Sequence, residues 1–156
     1  MSKRHISSVS SVIYPGVGSD DLHLGQIQAE VVATLGKPES TTRKYEGQFF
    51  YNYPDLGIEV DFAHRGGRVA YLFFFRQGVR GNRQADVITD RGIRPGDTRE
   101  KVLNLLGDPE EKGAPTILNS GKHFGEWFSY HAGINLQFGS DGRVDMITIT
   151  AARWIA

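Results

Sequence analysis

Alternating apolar and polar residues mark two strands of the chain that look alike. Residues 58–62 read Ile-Glu-Val-Asp-Phe, and residues 134–138 read Ile-Asn-Leu-Gln-Phe. Successive side chains of a β-strand point to opposite faces of the sheet, so each strand has one apolar face and one polar face. In the first strand, the polar face carries Glu59 and Asp61. The pattern predicts two strands that each turn one side to the core.

Residues 71–75, Tyr-Leu-Phe-Phe-Phe, break this alternation because both faces of the strand are apolar. The last strand of the chain supplies a register, since its Ile147 and Ile149 are expected in the core. If residues 71–75 follow the same inward–outward alternation as that strand, Leu72 and Phe74 point inward. Three aromatic rings are thereby assigned to the face that carries Glu59 and Asp61: Tyr71, Phe73 and Phe75.

Two short segments have the apolar spacing of a helix. Ile27, Val31 and Leu35 are spaced at i, i+4 and i+8, and Val102 and Leu106 repeat the spacing. Each segment ends at a glycine that is followed two residues later by a proline: Gly36 with Pro38, and Gly107 with Pro109. A helix of about ten residues is marginal alone, so each must pack on a sheet.

The helical and strand patterns recur in the same order. Three stretches match: residues 22–39 with 93–110, 56–62 with 132–138, and 67–75 with 142–150. Their offsets are 71, 76 and 75 residues, so the second copy has a longer loop in its middle. The repetition predicts an α+β fold of two tandem repeats, each a short helical segment packed on an antiparallel sheet. The expected divisions are a lead-in at 1–21, unit 1 at 22–78, a linker at 79–92 and unit 2 at 93–156.

The aromatic rings assigned to the polar face of unit 1 would form a large surface. Three such rings bury on the order of 500 Å², which is more than a monomer leaves exposed without reason. Two interpretations stay open: the lead-in, the 79–92 linker or the edge of the other unit covers them, or a partner does. Trp127 is likewise either a core residue or an interface anchor. The loop at 111–122 is either a plain surface loop or an element that inserts into a partner.

Composition narrows the classes of partner. Lysine plus arginine and aspartate plus glutamate number 18 each, which gives no reason to expect nucleic acid or a membrane. Arginines cluster near the linker, and solvation explains them, with RNA contact as the weaker alternative. The chain has no cysteine, and residues 1–16 contain no continuous apolar run of a signal peptide. We therefore expect a cytoplasmic protein, unless an export signal was removed.

Nothing in the sequence has the spacing of a catalytic or metal site. The five histidines form no His-x-x-x-His or His-x-His pair. Glu59 and Asp61 are close enough to raise each other's pKa, but a general acid–base pair needs a pocket, which an open sheet rarely supplies. We expect no enzyme activity, no cofactor and no metal.

A set of glycine, proline and apolar positions carries a resemblance to known proteins. The helical part of unit 2 supplies Gly96, Thr98, Val102, Leu106, Gly107 and Pro109. Unit 1 supplies Gly25, Ile27, Val31, Leu35, Gly36 and Pro38, with isoleucine in place of threonine. The last strands supply Trp127, Tyr130, Gly133, Phe138, Gly142 and Val144. Over roughly residues 22–152, the chain resembles the SmpA/OmlA outer-membrane lipoproteins and the tandem-repeat β-lactamase inhibitory proteins.

The resemblance implies a fold and a kind of function. In the inhibitory proteins, two units join into one concave sheet, rich in aromatic and acidic residues, that grips a globular enzyme. Those proteins are secreted and have disulfides, and the lipoproteins need an acylated cysteine, whereas this chain has no cysteine. We therefore expect a non-catalytic inhibitor, of the kind of an immunity protein that covers the active site of a cognate bacterial toxin or enzyme. The expected partner-binding residues are Glu59, Asp61, Tyr71, Phe73, Phe75 and Trp127.

Two other functions remain open at this point. The chain could be an assembly or scaffold module, or it could be a small-ligand-binding domain with a pocket between the repeats.

Overall fold

The described residues form an α+β fold, with two α-helices and one large antiparallel sheet. The computed structural model describes residues 11–43, 47–63, 67–117, 119–121 and 123–153. The helices are α1 (Gln28–Leu35) and α2 (Arg99–Leu106). The strands are β1 (Ser11–Ile13), β2 (Ser40–Arg43), β3 (Phe49–Tyr53), β4 (Ile58–Phe62), β5 (Val69–Phe75), β6 (Val87–Thr89), β7 (Glu111–Gly113), β8 (Thr116–Ile117), β9 (His123–Phe124), β10 (Trp127–Tyr130), β11 (Ile134–Phe138) and β12 (Val144–Ile149).

Eight of the strands form one continuous sheet. Their order is β2-β3-β4-β5-β12-β11-β10-β7, and every neighbouring pair is antiparallel. The centre of the sheet is the β5–β12 pair, in which Leu72 lies opposite Ile149 and Phe74 opposite Ile147. On each side of this pair, a helix precedes four strands of the same half. The sheet therefore joins two halves with the same order of elements.

Each half ties its helix to its sheet through one tyrosine. The Tyr53 hydroxyl donates a hydrogen bond to the carbonyl of Gly36 at 2.9 Å, and the Tyr130 hydroxyl donates to the carbonyl of Gly107 at 2.8 Å. Both glycines lie at the C-terminal end of a helix, where carbonyl groups lack helical partners. Burial raises the pKa of Tyr53, and it raises the pKa of Tyr130 to about 12.

The two helices begin differently. The Thr98 hydroxyl accepts a hydrogen bond from the backbone N–H of Lys101 at 3.2 Å, which caps α2. Ile27 occupies the same position before α1 with a similar extended backbone, but it has no polar atom to offer. At α1, only the reciprocal bond forms, from the Ile27 N–H to the Glu30 carboxylate at 3.0 Å. The first helix therefore lacks half of the capping arrangement.

The core lies on the face of the sheet that both helices cover. It contains Val31 and Leu35 of α1, Val102 of α2 and the inward side chains of the large sheet. Leu72 and Phe74 are fully buried in it, which is the orientation that the sequence pattern predicts. Buried strand residues of the core include Ile58, Val60, Phe62, Ile134, Leu136, Phe138, Ile147 and Ile149.

The described part of the lead-in, residues 11–21, and the linker both contribute to this core, which their sequence does not predict. Strand β1 of the lead-in pairs in parallel with β6 of the linker. Ile13 of the lead-in, and Ala85 and Val87 of the linker, are buried with the sheet residues. The β1–β6 pair thus packs against the same core as the helices.

A close approach of two backbones fixes the lead-in against the second half. The Gly16 N–H donates a hydrogen bond to the carbonyl of Gly133 at 3.1 Å. A Cβ atom on Gly133 would lie 2.5 Å from the Cα of Gly16, and one on Gly16 would lie 2.8 Å from the Ala132 carbonyl oxygen. Only residues without a side chain fit this contact. No helix within the described ranges has the length and apolar character needed to cross a lipid bilayer.

Candidate functional site

The candidate site is the sheet face opposite the core, which we call the open face. The strand pairing lines up one row of open-face residues across all eight strands, in direct cross-strand register. In order across the sheet, this row is Ser40, Asn52, Glu59, Phe73, Thr148, Asn135, Ser129 and Glu111. A single aromatic ring, Phe73, stands near the middle of this otherwise polar row.

The open face contains a hollow over its centre and second half. The hollow has a volume of about 450 Å³. Tyr71 and Phe73 of β5 form one wall, with ring centroids 6.2 Å apart and planes inclined by 28°. Trp127 of β10 forms the other wall, and Thr148 and Asn135 lie on the floor. Three strand spacings separate β5 from β10, so the backbones under the two walls are about 14 Å apart.

Tyr71, Phe73 and Trp127 are accessible, as expected for partner-binding residues. Tyr71 is 38% exposed, Trp127 is 39% exposed and Phe73 is half-buried. The indole of Trp127 lies against Gly113 of the neighbouring strand, where a Cβ atom would come within 2.0 Å of its Nε1. The lack of a side chain at Gly113 lets the indole lie across β7, so Trp127 is a surface residue of the open face and not a core residue.

The expectation that Phe75 is available to a partner is wrong in this structure. The ring is only 1% exposed, although its strand position places it on the open face opposite Met146. The turn at Val79–Gly81 covers it, with the Arg80 guanidinium 5.8 Å from the ring centroid. Arg80 has a φ of 52°, a backbone conformation that is costly for a residue with a side chain. Residues of the linker therefore shield this ring from solvent.

Asp61 also differs from its expected role, because it is only 3% exposed. Both of its carboxylate oxygens accept hydrogen bonds from the Gln48 side-chain amide, at 3.1 and 3.2 Å. Glu59, two residues earlier on the same face, is half-buried. The open face of the first half therefore presents less negative charge to solvent than the sequence suggests.

The second half of the open face carries two amide side chains that sequence reasoning did not select. Asn135 and Gln137 are half-buried and line the hollow. The alternation of residues 134–138 predicts that both side chains point to the open face, but nothing in the sequence shows whether a neighbouring group bonds to them. In the first half, by contrast, the Asn52 amide donates to the hydroxyls of Ser40 and Thr42 at 3.1 and 2.9 Å.

A charged cluster closes one end of the hollow. The Glu111 carboxylate contacts the His131 ring at 2.9 Å and the Arg153 guanidinium. The hydrogen bond from His131, together with the Arg153 charge, lowers the pKa of Glu111. The pKa of Glu110 is lowered as well, because its carboxylate accepts the backbone N–H of His131. Glu111 begins strand β7, so the expected loop at 111–122 is partly a sheet edge and partly the β8–β9 hairpin.

The described residues include no group of three or more His, Asp or Glu side chains that are placed to hold a metal ion. The histidine at position 64 lies outside the described residues.

Comparison with known proteins identifies a fold but no family. No family model matches the chain, and no curated protein sequence matches it. One similar solved structure is an extracellular protein containing a SCP domain from Bacillus anthracis, with 14% identity and a TM-score of 0.55 over 82% of this chain and 44% of that one. Another is the DUF4309 family protein YjgB from Bacillus subtilis, with 16% identity and a TM-score of 0.50 over 87% of this chain and 88% of that one.

This chain spans less than half of the length of the first of these structures. At such identities, the likeness concerns the fold alone.

Proposed function

We propose that this protein is a non-catalytic binding protein whose open face docks a globular partner. The observation that carries the proposal is the exposure of Tyr71, Phe73 and Trp127 around a hollow on a sheet face that neither α1 nor α2 covers. In its specific form, the protein is an inhibitor of the immunity-protein kind, which covers the active site of a cognate toxin or enzyme.

The size of the open face is adequate for a protein partner. Eight strands at about 4.8 Å spacing extend about 38 Å, and strands of five residues are about 17 Å long. The resulting area of about 650 Å² is close to the roughly 800 Å² that each partner buries in a standard interface. The loops at the two ends of the sheet would supply the remainder.

The side chains of the open face suit such an interface. Tyrosine and tryptophan are typical anchors because they bury a large area with few rotatable bonds and keep a polar atom for hydrogen bonding. Tyr71 and Trp127 stand on opposite sides of the hollow, so a protruding loop of the partner would contact both. The polar row between them would surround the loop with hydrogen-bonding groups.

The experiment uses the product of the neighbouring gene or a partner identified by co-purification, each then purified separately. Isothermal titration calorimetry measures binding, and the partner's own activity is titrated with this protein. We expect a 1:1 complex, loss of the partner's activity, and no binding by the double variant Tyr71→Ala/Phe73→Asp. Tyr14→Ala is the matched control, since Tyr14 is also exposed but lies in the lead-in.

Two results would contradict this proposal. Unchanged affinity of the double variant would remove these rings from the interface. A collapse of its near-UV circular dichroism would show that the rings support the fold instead.

The alternative as a small-ligand-binding domain has one observation in its favour. The volume of the hollow, about 450 Å³, lies within the range of roughly 300–1,000 Å³ that is typical of small-molecule sites. An assembly or scaffold module has no such specific support.

We further propose that the two halves are tandem repeats that arose by duplication, in keeping with the resemblance to the inhibitory proteins and the SmpA/OmlA lipoproteins. The three sequence matches and the equivalent tyrosine bonds to Gly36 and Gly107 support this. A chimera in which residues 28–35 are replaced by the sequence of 99–106 should then fold cooperatively. Failure to fold, while the reverse replacement also fails, would count against equivalent halves.

The cellular compartment belongs to the same proposal. An immunity protein that protects its producer from an internal toxin acts in the cytoplasm, whereas one of the two similar structures is of an extracellular protein. Fractionation of cells that express the full-length gene decides between the two. Recovery from the medium or envelope would rule out cytoplasmic protection.

A further inference from the structure

The amides of Asn135 and Gln137 differ from the comparable amides of the protein. Within the described part of the chain, neither side chain hydrogen-bonds to another protein group. The other buried or half-buried amides there do, namely Gln26, Gln48, Asn52 and Asn82. Polar groups that are partly withdrawn from water usually find a partner. These two amides therefore have hydrogen-bonding capacity directed into the hollow.

The charged groups around the hollow are already engaged with other protein groups. Asp61 accepts from Gln48, and Glu111 contacts both His131 and Arg153. The remaining polar groups are neutral: the two amides, the hydroxyls of Ser129 and Thr148 on the floor, and the Tyr71 hydroxyl on the wall. The hollow is therefore suited to a neutral ligand that can both donate and accept hydrogen bonds.

The aromatic wall adds a second requirement on the ligand. Trp127 lies directly opposite Gln137 in the β10–β11 register, and Ser129 lies opposite Asn135. The Cβ atoms of directly opposite residues are about 5 Å apart. The indole extends from there towards β7, but Trp127 and Gln137 both line the hollow, so a ligand of the size of one or two sugar rings can contact both. Such a ligand has an apolar face and a rim of hydroxyl groups.

We propose that the hollow is a carbohydrate-binding site. The C–H face of a pyranose ring is apolar and packs on the face of an aromatic ring, while its hydroxyl groups both donate and accept. A side-chain amide offers donors and an acceptor side by side, which matches two adjacent sugar hydroxyls. Trp127 is the stacking surface, Gln137 and Asn135 bind the hydroxyls, and Tyr71 borders the far side.

This inference goes beyond the proposed docking of a protein. It depends on Trp127, Asn135 and Gln137 of the second half, whereas the docking variants change Tyr71 and Phe73 of the first half. Failure of one proposal therefore leaves the other standing.

The test is a titration of the ¹⁵N-labelled full chain, observed by ¹H–¹⁵N correlation spectra. The probes are glucose, galactose, N-acetylglucosamine, maltose and cellobiose, each up to about 50 mM, since small ligands of open sites often bind in the millimolar range. The neutral peptide N-acetyl-Gly-Gly-amide is a further arm. We expect at least one sugar to shift the Trp127 indole N–H and the side-chain amides of Asn135 and Gln137.

Variants make the assignment specific. Trp127→Ala should weaken sugar binding roughly tenfold, and Gln137→Leu roughly three- to tenfold, through loss of the stacking surface and of a hydrogen bond. Asn104→Leu is the matched control, since this exposed amide lies on α2, away from the hollow. The sugar affinity of this variant should equal that of the unchanged protein. If Trp127→Ala does not fold, Gln137→Leu alone carries the test.

Three outcomes would overturn the proposal. One is the absence of shifts at these groups with every sugar. Another is unaltered sugar affinity in Gln137→Leu. The third is saturable binding of the neutral peptide without any sugar response, which would assign the amides to the main chain of a protein ligand.

Discussion

The two halves of the sheet have the same order of helix and strands, but the side chains on their open faces differ. In the first half, Asp61 and Asn52 have hydrogen-bond partners within the sheet and its adjoining loop. In the second half, Asn135 and Gln137 occupy a similar face and have none within the described part of the chain. The difference indicates that the strands and core fix the fold, while the choice of open-face side chains decides whether the polar groups bond to each other or stay available.

The largest test of the shared framework is removal of one core ring from each half. Phe62 and Phe138 occupy matching strand positions, and both are fully buried. Each change to alanine should lower the free energy of unfolding by about 3–5 kcal/mol, since a large cavity forms. Urea denaturation followed by circular dichroism measures the loss. A small loss in one half alone would mean that the halves do not share the core equally.

Removal of the tyrosine hydroxyls should have an intermediate effect. Tyr53→Phe and Tyr130→Phe each leave a helix-end carbonyl without its donor, which should cost about 1–2 kcal/mol. Thermal unfolding of the two variants provides the measurement, with Tyr14→Phe as the exposed control. Similar losses at the two sites would support equivalent halves, and a loss at only one would break the equivalence.

The same tyrosines predict an alkaline transition. Burial raises the pKa of Tyr53 and raises that of Tyr130 to about 12. The folded state favours the neutral phenol, so this contribution to stability is complete below a pH of about 10, the usual tyrosine pKa, and is lost as the pH rises towards 12. The Tyr53→Phe/Tyr130→Phe double variant should lose less stability across this window than the unchanged protein does.

The caps at the start of the two helices can be exchanged, and smaller changes in stability are expected: a loss where a cap is removed and a gain where one is added. Thr98→Ala removes the cap of α2 and should cost about 1 kcal/mol. Ile27→Thr supplies the missing acceptor to α1 and should stabilise the protein by about 0.5–1 kcal/mol, because Ile27 is exposed and already has the extended backbone of a cap. Differential scanning calorimetry measures both. A destabilising Ile27→Thr would show that the isoleucine side chain contributes packing that outweighs the gain from a cap.

The smallest expected effect concerns the ion pairs that connect the halves. Arg76, directly after β5, contacts Asp141 at 2.6 Å and Asp145 at 3.2 Å, and the hydrogen bond from Arg76 lowers the pKa of Asp141 to about 2. This contribution is present above a pH of about 4 and is lost as the pH falls towards 2. Arg76→Gln should lower the Tm by only about 1–2 °C at neutral pH, since the pair is partly exposed. An equal acid sensitivity of the variant would exclude this pair as its source.

Local patterns predicted most of the central framework. The alternation at residues 58–62 and 134–138 gave the correct strands and the correct inward faces, because one side of each strand is buried in the core. The spacing of Val31 and Leu35 and the glycines after them likewise identified the helices. These features depend on residues that are close together in the sequence, so the spacing of apolar and polar residues is enough to predict them.

The errors have a common physical origin in contacts that a strand makes with residues outside it. Phe75 is buried because the turn at 79–81 folds back over it, and Asp61 is buried beside Gln48 of a different strand region. The parallel pairing of β1 with β6 joins residues more than seventy positions apart. Periodicity within one strand contains no information on which loop covers its outward side chains.

The contact between Gly16 and Gly133 has a consequence for the sequence variation that this protein can tolerate. Each position is open only to a residue without a side chain, since an added carbon at either one would overlap the opposing backbone, and both have positive φ angles. Natural relatives that keep this lead-in should therefore have glycine at both sites. Relatives that have lost it should be free to diversify at the second site, so the two positions are expected to change together in evolution.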